Sequence, residues 1–363
     1  MFTVLLTDGE FTGLIRTLRA GYGTQIRIVG LSQNIYIPHQ KMLDAFYPVP
    51  SHDAPDYFPR LKEILKKENV SYIFPIISEG LESIAQMSGE IHTDTGAKVI
   101  SPSLSALKVA NDKGSLYAYL RELPNLKTLV PDFFVAHTKE ELFDEISQLE
   151  RCGKTACIKR RRGEDAGGFW KIDEGEDYAN RLFFSPVERV LSKELLAAAM
   201  KKWSSQTAIP PYLVCEYLPG EEWDCDILAY EGELRCLTTR INLKMTGGLT
   251  SVLEVRDNPE LSSHCRELVR ALHLSYVSCI SFRKDRGGEF RLLEINPRMM
   301  GNIYVSCLCG NNYPQMSIDL LEGREIFPQK PLTGIRTAMY YDQAVISDPD
   351  EIRMKEMEPQ YDE

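Results

Sequence analysis

Glu289-Phe290-Arg291-Leu292-Leu293-Glu294-Ile295-Asn296-Pro297-Arg298 reads as a strand that carries chemistry at its end. Arg291 to Ile295 has strand character, and a period of two places Glu294 and Asn296 on one face. A carboxylate beside an amide oxygen is a hard-oxygen pair suited to Mg²⁺, and Arg298 adds a rigid fork for phosphate oxygens. Pro297 cannot donate to a ladder, so the strand stops there and leaves the trio at a sheet edge that a ligand can reach. The same residues also suit a strand end whose polar groups are incidental. The rest of the chain separates the two readings.

At 363 residues with a formal charge of −10, the chain has room for two or three domains and the composition of an ordinary soluble protein. The negative balance argues against nonspecific nucleic-acid binding. No apolar run approaches a membrane span, and the N-terminus lacks the basic region and cleavage site of a signal peptide, so a cytoplasmic protein is expected. Nine cysteines form no Cys-x-x-Cys pair; they suit reduced thiols rather than a disulfide framework or a zinc site. His264 and His273 fall on one predicted helix as surface or packing residues.

The first hundred residues alternate strand and helix. Val4-Leu5-Leu6, Gln25 to Gly30, Tyr72 to Ile77 and Lys98 to Ile100 read as strands. Leu14, Ile15 and Leu18, then Leu61, Ile64 and Leu65, mark amphipathic helices between them. This order predicts a doubly wound parallel sheet. Its first turn, Thr7 to Gly13, lacks Gly-x-Gly-x-x-Gly, and Asp8 and Glu10 would repel a pyrophosphate, so this domain reads as a scaffold or substrate holder. Ser103 is placed to cap a helix through Leu107 and Ala110, and a second helix follows at Leu116 to Leu123. Beyond Pro131 the pattern becomes mixed α+β, with helices near 176–184 and 192–202. The tail after Asp348 is acidic and reads as loosely held.

Two segments in the mixed region could handle a nucleotide. Ala156 to Lys159 is a strand, Arg160 to Gly168 a basic loop with three glycines, and Phe169 to Ile172 another strand. Glycines let backbone amides approach phosphates, and Lys159 supplies a point charge. Val214 to Trp223 is a strand, a connector and a second strand; the connector can offer an amide and a carbonyl to an adenine edge. Glu222, opening the second strand, can accept from ribose hydroxyls. Each segment also reads as an ordinary polar hairpin.

Taken in order, Asn111-Asp112-Lys113, Ile158-Lys159 with its glycine loop, Glu216-Tyr217-Leu218-Pro219-Gly220-Glu221-Glu222 and Glu294-Ile295-Asn296-Pro297-Arg298 resemble the ATP-grasp superfamily. The flavour is that of the ATP-binding half of the carbamoyl-phosphate synthetase large subunit and its single-module carboxylate–amine ligase relatives, over residues 1–325. The resemblance implies a pre-ATP-grasp α/β domain at 1–108, a two-subdomain ATP-grasp domain at 109–330 with a lid near 130–217, and a C-terminal extension at 331–363. It implies ATP with Mg²⁺ (or Mn²⁺) as cofactors. Lys113 and Lys159 would meet the phosphates, with Gly167 and Gly168 in the lid loop. Glu216, Tyr217 and Leu218 would form the adenine hinge, and Glu222 would take the ribose. Glu294 and Asn296 would hold the metal, with Arg298 beside the transferred phosphoryl group. Arg240, on the strand leading to Lys244-Met245-Thr246-Gly247-Gly248, resembles the segment facing the acceptor site and would grip a substrate carboxylate, or else is a surface strand arginine.

One position departs from the family: Ser281 stands where an acidic residue or Gln usually supplies a further metal ligand, and a hydroxyl is a weaker Mg²⁺ ligand. The implied reaction joins a small-molecule carboxylate to an amine (or a thiol) through an acylphosphate, releasing ADP and phosphate. No nucleic acid or membrane partner is implied, and a homodimer is compatible. The alternative is a degenerate nucleotide-binding protein without ligase activity, for which Ser281 is the main support. No glutaminase or biotin-carrier sequence is present, so an ammonia supply would need another protein.

Overall fold

The computed structural model describes residues 1–7, 12–163, 167–175, 189–202, 208–246 and 248–340. The expectations for Asp8 and Glu10, the helix near 176–184, Gly247 and the acidic tail lie outside these residues. The chain builds three sheets in sequence.

The first sheet is all-parallel, in the order β3-β2-β1-β4-β5, from β1 (Phe2–Leu6), β2 (Ile26–Ser32), β3 (Ala45–Pro48), β4 (Val70–Phe74) and β5 (Lys98–Val99). Alternation along β1 explains the doubly wound form. Val4 and Leu6 pack with Leu14, Ile15 and Leu18 of helix Thr12–Tyr22, whereas Leu5 packs with Leu61, Ile64 and Leu65 of helix Tyr57–Lys67. The strand predicted at Tyr72 to Ile77 instead ends at Phe74, because Pro75 has no N–H to continue the ladder. β3 escaped the sequence reading; it is a short edge strand, with all four residues partly or fully exposed.

The second sheet runs β6-β10-β7-β8-β9, from β6 (Phe133–Thr138), β7 (Ala156–Arg160), β8 (Trp170–Ile172), β9 (Val190–Leu191) and β10 (Ala208–Glu216). Helix Lys139–Arg151 covers one face, burying Leu142, Ile146 and Leu149 against Ile158 and Val214. The other face, carrying Cys157, Lys159 and Cys215, is left for the cavity described below.

The third sheet runs β15-β14-β11-β12-β13-β16, from β11 (Glu222–Tyr230), β12 (Glu233–Thr246), β13 (Leu249–Val255), β14 (Tyr276–Lys284), β15 (Phe290–Asn296) and β16 (Arg336–Ala338). All its pairings are antiparallel. Helix Pro259–Leu272 covers the apolar face, setting Leu261, Cys265 and Leu268 in one core with Cys225, Ile227 and Ile280. Asn258 caps its start, and His273 ends it in the left-handed conformation (φ 49°), so His264 lies on the helix and His273 just beyond it. The segment expected as a C-terminal extension begins within this sheet, since β16 pairs with β13. Among the described residues no helix is long and apolar enough to cross a membrane.

The first and third sheets share a core in which Val4 and Leu14 meet Ile303, Tyr313 and Ile318 from helices Ile303–Leu308 and Tyr313–Leu321. The approach is close at Gly13, where a Cβ would lie 2.6 Å from Tyr304 Cβ. Gly13→Ala is therefore expected to destabilise the protein by about 1–3 kcal/mol despite the helical preference of alanine. A Cβ at Gly89, within helix Ser88–Thr95, would meet nothing within 4 Å, so Gly89→Ala should stabilise by roughly 0.5–1 kcal/mol. Denaturant unfolding of both variants checks the contrast; equal shifts would contradict the close approach.

Candidate active site

β15 supplies the central carboxylate through an irregularity. Its register with β14 slips between Phe282–Leu292 and Ser281–Glu294, which makes Leu293 an extra residue in a β-bulge. Strict alternation would put Leu292 on the face of Glu294. The bulge instead lets both Leu292 and Ile295 enter the apolar core while Glu294 lines the cavity. It also presents two successive carbonyls to one partner on a helix: the Tyr117 hydroxyl, fully buried, donates to Leu293 O (2.6 Å) and Leu292 O (3.0 Å). Lys159 Nζ donates to the Tyr117 oxygen (3.0 Å) and reaches Leu293 O (3.4 Å). Burial pushes the Tyr117 hydroxyl well above its ordinary range, so it stays protonated and holds Lys159 in place as a neutral acceptor.

Lys113 opens helix Lys113–Arg121, whose N-cap Asp112 accepts from Ser115 N (2.9 Å). Its ammonium pairs with Glu294 Oε2 at 2.9 Å and donates to Gly163 O of the glycine loop at 3.1 Å. Burial opposes ionisation of Glu294, but Lys113, the Asn296 amide (2.9 Å to Oε1) and Lys159 outweigh it and hold the carboxyl down to about 2. Glu294 is thus a carboxylate throughout the neutral range. Its contribution to stability is present above about pH 4.5 and is lost as the pH falls toward 2.

These groups line one end of a cavity of about 440 Å³ between the second and third sheets. The same wall carries Gly167, Glu216, Tyr217, Leu218 and Glu222. Gly168 adjoins Gly167 in the left-handed region (φ +73°), with Arg160 folded against it. Glu216 pairs with Lys154 (2.8 Å), and the Lys171 and Arg283 charges sit 5.2 and 5.4 Å from the centroid of the Tyr217 ring. Glu222 accepts from Asn242 (3.2 Å) and faces Arg283 (3.7 Å). Burial and then the nearby Asp224 charge raise its carboxyl to about 7, against the pull of Arg283.

The structure places two expected site residues elsewhere. Arg298 is 3% exposed, and its Nε donates to Ser78 Oγ (3.0 Å) in the loop after β4, which ties β15 to the first sheet. Arg240 is 1% exposed: it donates to Asp224 (2.7 Å) and Asp226 (3.1 Å) and approaches Cys279. Two buried carboxylates already neutralise it, so it is neither a surface arginine nor a free grip for a substrate carboxylate. Its register partner Asp224 also accepts from Ser281 Oγ (2.6 Å) and Asn242 (2.9 Å). Arg240, Asp224, Ser281 and Glu294 are successive register partners across β12, β11, β14 and β15. The acid missing at Ser281 therefore has a neighbour one strand away. The sequence reading overlooked Asp224, although the spacing of Glu222, Asp224 and Asp226 already put three acids on one strand face; it also overlooked Tyr117, for which no local signal existed.

Among the described residues no three His, Cys, Asp or Glu side chains converge as a metal cluster. Of the three carboxylates lining the cavity, Glu216 pairs with Lys154 and Glu222 with Asn242 and Arg283, which leaves Glu294 as the hard donor beside the lysines; Asn296, which is not among the lining residues, donates its amide to Glu294. That sparse set fits Mg²⁺, which commonly takes one or two protein oxygens and completes its shell with water and phosphate oxygens.

The chain thus combines a parallel, a mixed and an antiparallel sheet, with the cavity between the last two. Residues 208–342 match the family described as ATP-grasp in the biosynthetic pathway with Ter operon, and residues 6–100 match the PylC-like N-terminal domain. Residues 208–342 therefore carry an ATP-grasp match and residues 6–100 a PylC-like one, and beyond these the likeness to solved ATP-grasp structures is one of fold. Its fold is similar to that of an N5-carboxyaminoimidazole ribonucleotide synthetase in complex with ADP (15% identity, TM-score 0.67, 92% of this chain and 80% of that one). The Staphylococcus aureus N5-carboxyaminoimidazole synthetase with ADP is similar at 13% identity and TM-score 0.64, over 90% and 78% of the two chains. A Campylobacter jejuni biotin carboxylase–β,γ-ATP complex gives 14% identity and TM-score 0.63, over 92% and 73%. No curated protein sequence matches the chain.

If Glu222 meets the ribose, its charged form is the acceptor for both hydroxyls, and ATP affinity should rise as the pH climbs through about 7 and then level off. Calorimetry between pH 6 and 8 should show this for the parent protein and a flat, weaker profile for Glu222→Gln; a flat profile in the parent would remove Glu222 from the site. Arg240→Ala should destabilise by about 3–5 kcal/mol, because it leaves buried carboxylates without their counter-charge. An unchanged unfolding midpoint with only a raised KM would restore Arg240 as a substrate grip.

Proposed function

We propose that the protein is an ATP-dependent, ADP-forming carboxylate ligase that works through an acylphosphate, with an amine as the nucleophile favoured over a thiol. The observation that carries this reading is the convergence of Lys113, Lys159 and Glu294 on one cavity that also holds Glu222 and the Glu216–Leu218 connector. That arrangement offers cations and a hard-oxygen donor for a polyphosphate, and a carboxylate and a backbone edge for a nucleoside.

Phosphoryl transfer to a carboxylate brings two anions together, so neutralisation and in-line placement dominate the barrier. Lys159, fixed by Tyr117, would hold its charge still against a phosphate. Lys113 would exchange Glu294 for phosphate oxygens and keep its hold on the glycine loop through Gly163. Mg²⁺ or Mn²⁺, held by Glu294 and Asn296, would supply further charge neutralisation. Arg298 would have to exchange its Ser78 bond for an oxygen of the transferred group. Closure of the lid over the cavity would keep water from the acylphosphate.

On this reading residues 1–108 form the pre-ATP-grasp domain and 109–330 the ATP-grasp domain, with a lid near 130–217, in a cytoplasmic enzyme. Ser281, with its hydroxyl turned to Asp224, favours the second reading, a nucleotide-binding protein without ligase activity. The retained Lys113, Lys159 and Glu294 weigh against it.

Hydroxylamine supplied with ATP, Mg²⁺ and pooled small carboxylates should yield a hydroxamate together with ADP and phosphate. Lys159→Ala and Glu294→Ala should each abolish the trapped product while leaving the circular dichroism spectrum unchanged. AMP and pyrophosphate as products would overturn the acylphosphate route, and ADP binding with no product from any carboxylate would favour the second reading.

A further inference from the structure

Cys157 on β7 and Cys215 on β10 are direct register partners across two antiparallel strands. The ladder bond from Tyr217 N to Thr155 O (2.7 Å) marks that pair as hydrogen-bonded. Two residues along, the cysteine pair has the same character, which sets its Cα atoms about 5.5 Å apart. A disulfide spans Cα separations of roughly 4.4–6.8 Å. Both thiols are free and buried, and both line the nucleotide cavity. Among the nine cysteines they alone lie on its described wall; Cys225 sits in the core beneath helix Pro259–Leu272, which itself carries Cys265.

We propose that Cys157 and Cys215 form a dithiol modification site, which a small-molecule disulfide oxidises to an intramolecular disulfide that closes the cavity to nucleotide. The inference rests on the reading of this cavity as the nucleotide site. One cysteine thiolate attacks the S–S bond of the oxidant and expels one thiolate, giving a mixed disulfide. The second cysteine thiolate then displaces the remaining small thiolate. Each cysteine proton ends on a released thiol, and two electrons pass from the protein to the oxidant, so a disulfide and two cysteines become a protein disulfide and two small thiols.

The bridge acts on nucleotide affinity because of what flanks it. Cross-strand Cβ atoms lie about 4.5–5.5 Å apart, and a disulfide draws them to about 3.8 Å. Lys159 follows Cys157 by two residues on the same face, and the Glu216–Leu218 connector follows Cys215 at once. Cys157 Sγ also donates to the Glu216 carbonyl (3.8 Å), a bond that oxidation removes. Burial pushes Cys157 up to about 12 and Cys215 up to about 11, so the exchange is slow at neutral pH and accelerates in alkali. Binding and oxidation are linked: if the bridge weakens ADP, then ADP must disfavour the bridge by the same factor.

The test uses the full chain carrying Cys152→Ser, which removes an exposed thiol. It is equilibrated in mixtures of reduced and oxidised dithiothreitol at pH 8.5, with and without saturating ADP, then quenched, alkylated and mapped by peptide mass spectrometry. A peptide linked through 157 and 215 should form, ADP affinity by calorimetry should fall about tenfold or more, and reductant should restore it. Saturating ADP should shift the oxidation midpoint by the factor lost in affinity. In Cys157→Ser and Cys215→Ser, oxidant should no longer change whatever ADP affinity each variant has. Absence of the 157–215 link, a link that leaves ADP affinity unchanged, or oxidant sensitivity persisting in both serine variants would overturn the proposal. In each of those cases ADP binding by the reduced protein leaves the nucleotide reading standing; reduced protein that binds no ADP overturns both.

Discussion

The ion pair between Lys113 and Glu294 is the contact on which the site depends. It joins the start of a helix, the end of an edge strand and, through Gly163, the loop of the second sheet. The pair is half-buried and sits where a polyphosphate and its cation would compete for both partners. Lys113 keeps Glu294 ionised in a place where burial opposes its charge. On the proposed reading, a phosphate would replace Glu294 at Lys113 and a divalent ion would replace Lys113 at Glu294, so nucleotide would enter without leaving a buried charge alone.

The surrounding structure keeps this exchange local. Tyr117 fixes Lys159 against the bulge carbonyls, and the bulge itself turns Glu294 into the cavity while Leu292 and Ile295 stay in the core. Behind Glu294 the row of Ser281, Asp224 and Arg240 forms a closed set of charge-assisted bonds within the sheet. Arg240 acts there as a buried counter-charge. A second set of bonds, from Arg161 and Arg162 to Asp112 (2.8 and 3.3 Å), anchors the glycine loop beside Lys113. The basic run that looks like a phosphate cradle in sequence therefore spends much of its charge on holding the loop.

Much of the fold was legible because local patterns and tertiary packing agree. The strand–helix alternation gave the doubly wound sheet, and Leu14, Ile15, Leu18, Leu61, Ile64 and Leu65 are buried where their periodicity put them. Motif order brought Lys113, Lys159, Glu216, Glu222 and Glu294 to one cavity. What escaped was non-local. The β-bulge at Leu293 depends on pairing with β14, Tyr117 gains its partners from a strand some 175 residues away, and Arg240 finds Asp224 only once β11 and β12 align. An arginine on an alternating strand looks the same in sequence whether it faces water or two buried acids.

The most direct measurement of the central claim follows oxygen rather than nucleotide. With pooled ¹⁸O-carboxylate substrates, amines, ATP and Mg²⁺, a carboxylate that attacks the γ-phosphate must leave one labelled oxygen on the phosphate released. Mass spectrometry of that inorganic phosphate should therefore show a single ¹⁸O alongside ADP formation. Label appearing in AMP, or ADP and phosphate formed with no label in the phosphate, would contradict the account.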